Sequence, residues 1–223
     1  MSTPRTYSDA CGMAHGLDLV GGRWALHVVR ELVLGPKRYS DLQADLPGIS
    51  TSMLRDRLVE LERDGLVRRR RLDPPAASWV YELTVWGREL EPVVCALGRW
   101  AARSPGHRPD LPLSTTAFVL SLRTNVDAAR TAGRSGSWSL RVGSTELHAW
   151  LADGAFTVEP GDASGEAPAR LVGAPEQLAG LVYGGRDLDE AAASGDVAVE
   201  GDRDALRVLL ELFTLPEKAP VPG

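Results

Sequence analysis

The chain has 223 residues, of which 43% are hydrophobic and 25% charged, a composition typical of soluble globular proteins that excludes disordered, collagen-like and coiled-coil classes. Its net charge of −5 is unevenly spread: residues 1–110 hold 16 Lys and Arg against 14 Asp and Glu, and residues 111–223 hold 9 against 16, so a DNA partner is not excluded for the first half. No apolar run reaches the ~18 residues that span a membrane, and the first ten residues are too polar for a signal peptide, so we expect a cytoplasmic protein with no membrane partner.

A segment of linker composition divides the chain. The ten residues from Arg103 to Pro112 contain three prolines and one glycine, which disfavour regular secondary structure. We therefore expect a first domain at residues 1–103, a linker at 104–112 and a second domain at 113–223. Two cysteines are too few for a disulfide framework or a Cys-rich zinc site, so packing should hold both domains together.

The first half begins with helical patterns. Apolar residues recur at helical intervals from Trp24 to Val33 and stop at Gly35-Pro36, which predicts one buried helix. Ser40-Asp-Leu-Gln43 is a capping-box pattern, in which the Ser and Gln side chains bond each other's backbone N–H groups. It predicts a short second helix that Pro47-Gly48 ends.

A third helix should follow that turn. Ser50 is suited to cap it and Gly65 to end it, after about four turns. Leu54, Leu58 and Leu61 form an apolar stripe at helical spacing, so the opposite face should point to solvent. The outward positions are Ser52, Asp56, Val59 and Arg63, with Thr51 and Arg55 on the flank. This pattern predicts a helix-turn-helix whose last helix presents a mostly polar face.

Two short strands should come next, at Leu66–Leu72 and Trp79–Leu83, joined by a loop with two prolines, and they predict a β-hairpin, or wing. The run Arg68–Arg71 is the densest positive charge in the chain. Such runs often form only a solvated edge that blocks aggregation. An Arg-rich hairpin directly after a helix-turn-helix, however, suits the phosphates that flank a major groove, which favours DNA contact. Thr84 should then cap a long helix that runs through Trp100 to the linker.

Six motifs in the first half follow one another as they do in a known family. They are Gly21-Gly-Arg-Trp-Ala-Leu26, Arg38-Tyr-Ser-Asp-Leu42, Leu46-Pro-Gly-Ile-Ser50, Met53-Leu-Arg-Asp-Arg-Leu58, Leu61-Glu-Arg-Asp-Gly-Leu-Val67 and Tyr81-Glu-Leu-Thr-Val-Trp-Gly87. Together they resemble the HxlR-type winged-helix transcription regulators over roughly Cys11 to Trp100. The resemblance implies a homodimer that binds double-stranded operator DNA with the third helix and the wing, and that pairs through Cys11–Leu19 and Thr84–Trp100.

The candidate DNA-binding residues combine the third helix, the wing and the start of the second helix. They are Arg38, Ser40, Ser50, Thr51, Ser52, Arg55, Asp56, Arg57, Arg63, Arg68, Arg69, Arg70 and Arg71. Repression is favoured over activation.

The cysteines and histidines give little evidence for other chemistry. Cys11 lies where many proteins of the resembled family carry an N-terminal cysteine that in some of them senses oxidants, and the alternative is a small buried residue at a dimer-forming helix. Cys95 lies on an apolar helical face and should be inert. The four histidines lack metal-ligand spacing, and Cys11 with His15 would supply only two ligands, so we expect neither a metal nor a cofactor.

The second half alternates helical and strand patterns. A helix is predicted at Ser114–Ala129, followed by an antiparallel three-strand meander at Ser137–Val142, Glu146–Leu151 and Ala155–Val158. Pro175 should open a helix that reaches Tyr183. A short helix, Asp187–Ala193, a strand, Val197–Glu200, and a Leu-rich helix capped by Asp202 complete the domain.

This order of elements, with Ser194-Gly-Asp-Val-Ala-Val-Glu-Gly-Asp-Arg-Asp-Ala-Leu206, resembles the sterol carrier protein type 2 (SCP2) family over about Leu113–Leu215. The resemblance implies an apolar tunnel between sheet and helices that holds a hydrophobic molecule. The residues that would line it are Trp138, Trp150, Phe156, Leu178, Leu181, Leu209 and Phe213. The alternative is that these side chains simply fill a core.

The sequence thus predicts an α+β protein, with a winged helix-turn-helix domain followed by an SCP2-like α/β-meander domain. The expected function is a homodimeric, DNA-binding transcription repressor whose second domain binds a hydrophobic small-molecule effector. One alternative keeps DNA binding and makes the second domain a structural dimer clamp. Another is a lipid-binding, lipid-transfer or catalytic protein with the winged helix as an interaction module, although no catalytic motif supports an enzyme.

Overall fold

The computed structural model describes residues 6–163 and 165–220, which form two compact units, one ending at Val94 and the other beginning at Cys95. The outer ends of the two predicted domains, residues 1–5 and 221–223, lie outside the described residues. The helix Glu91–Ala102 crosses the division between the units, and the predicted linker lies entirely in the second unit.

The first unit contains the predicted helix-turn-helix and hairpin. Its elements are α1 (Gly12–Val20), α2 (Ala25–Glu31), α3 (Tyr39–Asp45), α4 (Thr51–Arg63), β1 (Val67–Arg71), β2 (Trp79–Leu83) and α5 (Val85–Arg88), with α6 (Glu91–Ala102) after them. The two strands pair antiparallel from Val67 opposite Leu83 to Arg71 opposite Trp79. Their order confirms the winged-helix prediction.

A single leucine-rich core holds these elements together. The predicted stripe of Leu54, Leu58 and Leu61 on α4 is buried, as are Val28 and Val29 of α2. The remaining fully buried members are Ala25, Leu32, Leu42, Leu46, Ile49, Leu66, Val67 and Leu83. Because α4 buries its leucine stripe, its rotation about its own axis is set by packing.

The predicted cap of the second helix is wrong by two residues. The helix begins at Tyr39, Arg38 is its N-cap, and Asp41 accepts a hydrogen bond from the Arg38 backbone N–H at 3.1 Å. Ser40 lies inside the first turn, and the Gln43 side chain donates instead to the Ile49 carbonyl at 3.3 Å. The Asp41 carboxylate takes the reciprocal role that the sequence pattern assigned to Gln43.

The predicted long helix after the hairpin is divided into two. The Thr84 hydroxyl accepts from the Gly87 N–H at 3.0 Å and donates to the Gly65 carbonyl at 2.7 Å, which caps the four-residue α5. Pro92 has no N–H to bond to the carbonyl of Arg88, so one α-helix cannot run through this point. The chain restarts as α6 at Glu91.

The second unit is a five-stranded sheet with helices. Its elements after α6 are α7 (Thr115–Thr124), α8 (Ala128–Thr131), β3 (Gly136–Val142), β4 (Thr145–Ala152), β5 (Ala155–Pro160), β6 (Ala169–Gly173), α9 (Pro175–Tyr183), α10 (Leu188–Ala193), β7 (Val197–Gly201) and α11 (Arg203–Glu211). The strand order is β5-β4-β3-β6-β7. The meander β3-β4-β5 is antiparallel as predicted.

The sequence prediction omitted β6. This strand pairs parallel with β3 and antiparallel with β7, which makes the complete sheet mixed. Only Ala169 and Leu171 of its five residues are buried, too short an alternation to be recognised from sequence. The first helix of the unit is also shorter than predicted, because α7 ends at Thr124 and Asp127 caps the separate α8.

The junction between hairpin and α5 leads to a stability prediction. A Cβ atom on Gly87 would lie 2.0 Å from the Leu66 carbonyl oxygen, a backbone atom that cannot move aside alone. We expect Gly87→Ala to lower the free energy of unfolding by about 1 to 3 kcal/mol or more through overpacking. Gly180→Ala in α9, where nothing lies within 4 Å of the added Cβ, is the matched control and should not destabilise the protein. Equal denaturation midpoints for the two variants would contradict this assignment.

Candidate nucleic-acid interface

The outward face of α4 is built from its N-cap upward. The Ser50 hydroxyl accepts from the Met53 N–H at 3.2 Å, and the Tyr39 hydroxyl donates to the Thr51 carbonyl at 2.7 Å, which ties α3 to the first turn of α4. Burial of the leucine stripe turns the other side of the helix to solvent. The exposed side chains there are Thr51, Ser52, Arg55, Asp56, Val59, Glu62 and Arg63.

Two arginines of this helix differ in what they can reach. Arg55 has 72% of its side chain exposed and lies 3.6 Å from Asp56. Arg57 is 21% exposed, is paired with Glu60 at 2.5 Å, and packs so closely over Gly22 that a Cβ there would lie 2.2 Å from its Nη1. The Arg57 side chain thus packs beside the loop that follows α1, and its predicted DNA contact stays a prediction.

Arg63 lies at the far end of the same face. Its guanidinium donates to both carboxylate oxygens of Asp64, at 2.7 and 2.9 Å. Since these bonds occupy two of its five N–H groups, Arg63 stays on the surface with reduced freedom to meet DNA.

The hairpin sorts its four arginines onto two faces. Arg68 and Arg70 both donate to Glu82 of β2, at 2.6 and 2.8 Å, and Glu82 is only 4% exposed. Burial by itself raises the pKa of this carboxyl, but the hydrogen bonds from Arg70 and Arg68 outweigh it and hold the pKa below its usual range. Glu82 is therefore a carboxylate at neutral pH.

The other two arginines face the opposite way. The Arg69 guanidinium lies 4.5 Å from the ring centroid of Trp79 and 6.0 Å from that of Tyr81, and its backbone N–H donates to Glu62 at 3.3 Å. Arg71 is exposed and donates from Nε to the Ala77 carbonyl at 3.3 Å. Stacking and backbone bonds leave both guanidinium groups without a carboxylate among these contacts.

The start of α3 lies against the hairpin. Arg38 donates to the Ser78 hydroxyl at 3.1 Å, and Lys37 exchanges backbone hydrogen bonds with Tyr81 at 3.0 and 2.8 Å. The Lys37 ammonium contacts Asp45 and the fully buried Glu31. Arg38, exposed Ser40, the α4 face and the wing thus belong to one compact unit. Sequence analysis missed two acidic partners, Glu31, which accepts from Lys37 six positions later, and Glu82, which accepts from arginines 12 and 14 positions earlier.

The predicted effector site in the second unit is closed. A cavity of about 10 Å³, the volume available to a single water, lies between Phe118, Leu122, Leu140, Leu171 and neighbouring apolar side chains. Of the seven predicted lining residues, Leu178, Leu209 and Phe213 line it. The Trp138 indole is buried and donates to the Ala205 carbonyl at 2.7 Å, Leu181 is buried, Phe156 packs edge-on against Phe213, and Trp150 packs on His148. The described side chains leave only this small cavity at the predicted site, so an open tunnel is not shown and binding of an effector stays a prediction.

Cys11 is exposed in the single chain as the N-cap residue of α1, and its expected burial at a dimer-forming helix stays a prediction. Hydrogen bonds from the backbone N–H groups of Ala14 and Met13 hold the pKa of its thiol below its usual range. The sequence showed no neighbouring cation, and the structure supplies the free N–H groups of a helix start instead. A redox role for Cys11 stays a prediction.

Two further observations concern metals and membranes. Across residues 6–163 and 165–220, no three side chains of His, Cys, Asp or Glu are grouped so that they could hold a metal ion. Within the same ranges, every helix is too short or too polar to cross a membrane.

The fold and this surface define a winged helix-turn-helix transcriptional regulator, and the comparisons with known proteins agree. The HxlR-like helix-turn-helix family matches residues 19–108. The chain is similar to the uncharacterised HTH-type transcriptional regulator YdeP of Bacillus subtilis, at 34% identity over 95 residues, which cover 43% of this chain and 74% of YdeP. It is also similar to the HTH-type transcriptional regulator YodB of the same organism, at 35% identity over 89 residues, 40% of this chain and 80% of YodB. The chain belongs to the HxlR-like helix-turn-helix family through its first half.

Two other matches complete the comparison. The solved reduced form of YodB from B. subtilis has a TM-score of 0.39 at 31% identity and covers 44% of this chain and 97% of that one. Residues 111–219 match the family described as alkyl sulfatase C-terminal. This match is to a different family from SCP2, so the SCP2-like identity of the second domain stays a prediction.

The lowered pKa of Cys11 gives a pH prediction. Because the lowered pKa lets the Cys11 thiolate persist at lower pH than in an ordinary cysteine, alkylation by iodoacetamide should fall off only as pH drops through a midpoint below that of a model thiol. The rate is measured against pH in a Cys95→Ser background, and Cys11→Ser is the control that reports any reaction elsewhere. A midpoint at or above that of a model thiol would show that the N–H groups do not stabilise the thiolate.

Proposed function

We propose that this regulator is a cytoplasmic homodimer that represses transcription by binding operator DNA, with α4 in the major groove and the wing on flanking phosphates. The observation that carries the proposal is the polar, exposed face of α4 next to a hairpin with four arginines, all within one compact unit. A helix-turn-helix of this geometry suits a groove about one helix wide.

Base recognition is assigned first to Arg55. Its exposed guanidinium lies on the outward side of the second turn of α4, and Arg is well matched to the O6 and N7 acceptors of guanine. Ser52 and Asp56 lie on the same exposed face and add hydroxyl and carboxylate groups that can read neighbouring bases.

Phosphate contact is assigned first to Arg71, which is exposed and bonded to a neutral carbonyl. Arg69 is the second candidate for phosphate contact, and its guanidinium lies over the Trp79 ring. Arg68 and Arg70 belong to the same predicted DNA-binding set, but their shared carboxylate partner offsets part of their charge. The alternative of a purely protective charged edge predicts that replacing Arg71 leaves DNA affinity unchanged.

Exposed apolar helices support the homodimer. None of the twelve side chains of α6, all within the described part of the chain, is fully buried, and Val93, Leu97 and Trp100 are exposed. Met13 and Leu17 of α1 are exposed as well. Exposure of two apolar stripes to water is unfavourable. A second copy of the chain carries the same stripes, so the two copies can bury them against each other.

The second domain is assigned the structural role of a clamp on α6. The Ala219 N–H donates to the Arg103 carbonyl at 2.8 Å, Arg103 donates to the Glu217 carbonyl at 3.1 Å, and Lys218 donates to the Ala102 and Ser104 carbonyls at 2.9 and 3.2 Å. These bonds satisfy carbonyls at the helix end that lack helical partners. The second domain thereby fixes the end of the helix that we assign to the dimer.

A hydrophobic effector is the finer form of the proposal and rests on the resemblance alone. A ligand of ~10 heavy atoms would have to open the closed cavity by moving helices away from the sheet, at a cost in lost packing. Catalysis and lipid transfer are the remaining alternative functions. The match of residues 111–219 to the alkyl sulfatase C-terminal family excludes neither of them, and each can be tested by assay.

The division of roles between α4 and the wing is testable. Arg55→Ala should relax specificity by ~1 to 3 kcal/mol at one base pair of each half-site, because one guanine contact is lost. Arg71→Ala should lower the affinity for all DNA sequences by a similar factor, and it should lower the slope of log affinity against log salt by about one unit. Both are measured by fluorescence anisotropy on DNA selected from a random pool by the wild-type protein.

Arg57→Ala is the control for that experiment, since its side chain faces Gly22, and it should leave base preference unchanged. If Arg55→Ala and Arg71→Ala acted identically on selected and random DNA, the assignment would be wrong. Selection of no DNA by the wild-type protein would overturn the proposed function as a whole.

The dimer is tested by placing charge on α6. Leu97→Asp combined with Trp100→Asp should give monomers at micromolar concentration in sedimentation equilibrium, because four carboxylates would meet across a twofold interface. Operator affinity should fall by roughly a hundredfold or more, since two linked half-sites bind far better than one. Leu111→Asp, an exposed leucine outside α1 and α6, is the matched control and should remain dimeric. A monomeric wild-type protein would contradict the assignment directly.

A further inference from the structure

Glu82 is a buried carboxylate beneath the face of the hairpin that carries Arg68 and Arg70. It lies on β2 directly opposite Arg68, is 4% exposed, and accepts from Arg68 on one oxygen at 2.6 Å and from Arg70 on the other at 2.8 Å. Burying a carboxylate is unfavourable unless it is paired, and here both oxygens are paired with guanidinium groups.

The two arginines keep N–H groups for another partner. Arg68 has 65% of its side chain exposed and Arg70 has 40%. An arginine has five N–H donors, and the hydrogen bonds to Glu82 use only some of them. The rest are held in a fixed direction, because a carboxylate bond fixes the plane of the planar guanidinium.

The charge of Glu82 also lowers what the hairpin offers to any polyanion. Two arginines that share one carboxylate present a net charge of about one rather than two at that face. Non-specific DNA affinity depends on how many phosphates are neutralised, whereas affinity for a specific site depends also on the positions of the hydrogen-bond donors.

We propose that Glu82 is a positioning residue that sets DNA specificity by tethering Arg68 and Arg70. It holds their outward N–H groups in a fixed orientation that matches the phosphates of the correctly docked operator. Its negative charge also lowers, by about one unit, the positive charge that the hairpin presents to any other DNA. The inference rests on the proposed DNA contact of the wing.

Glu82→Gln separates this role from a simple charge effect. Freed arginines and one additional net positive charge should raise affinity for random DNA by roughly three- to tenfold and steepen its salt slope by about one unit. Affinity for the selected operator should rise less or fall, because the arginines lose their fixed direction. If operator affinity is unchanged, the operator-to-random affinity ratio falls by the same factor of roughly three to ten.

Asp73→Asn is the matched control, since it removes the same charge from the exposed loop of the same hairpin. It should raise both affinities by a similar factor and keep the ratio. Glu82→Asp keeps the charge but is one methylene shorter and cannot bridge both arginines equally, so the ratio should fall without a change in the salt slope. Thermal melts followed by circular dichroism show that each variant is folded before affinity is measured.

Equal rises in both affinities for Glu82→Gln and Asp73→Asn would show that Glu82 acts only as a charge, and would overturn the inference. An unchanged ratio in both Glu82 variants would overturn it as well. Either result can occur with a well-bound operator, in which case the proposed function stands. If the wild-type protein binds no selected DNA, the proposed function and this inference fail together.

Discussion

The burial of Leu54, Leu58 and Leu61 is the constraint on which the DNA-binding surface depends. These side chains pack against α2 and the start of the hairpin, and a helix cannot rotate about its axis without exposing them. The same packing sends Ser52, Arg55 and Asp56 outward and turns Arg57 toward Gly22. Hydrophobic burial on one side of α4 thus selects the polar groups that its other side offers.

Pairing with carboxylates further limits which basic residues are available to contact DNA. Asp64 holds Arg63, Glu60 holds Arg57, and Glu82 holds both Arg68 and Arg70. A count of arginines therefore overstates the charge available to DNA, since each pairing fixes a side chain and offsets its charge. Arg55 and Arg71 emerge from the same surface as the side chains with the fewest constraints among these contacts.

The packing of the second domain bears on the role that its resemblance to the SCP2 family implies. Its sheet and helices follow the predicted order, but Trp138, Leu181 and the cavity-lining side chains leave room for about one water. The proposed role of this domain as a support for α6 is based on the hydrogen bonds of residues 217–219 to the end of that helix. The two halves of the chain are linked by one continuous helix that both units share.

By itself, the sequence determined the order of most elements, the winged-helix class, the rotation of α4 and the cap at Ser50, because these depend on local periodicity and on side chains within a few residues. The break before α6 was also readable, since Pro92 is a local signal that the prediction of one long helix passed over. The sequence could not determine the parallel pairing of β6 or the size of the cavity in the second domain. Nor could it reveal Glu82, which joins Arg68 and Arg70 from 14 and 12 residues away. The same holds for Arg57 over Gly22. Only the tertiary structure decides such pairings, because they depend on which distant segments packing brings together rather than on the residues that adjoin them in the chain.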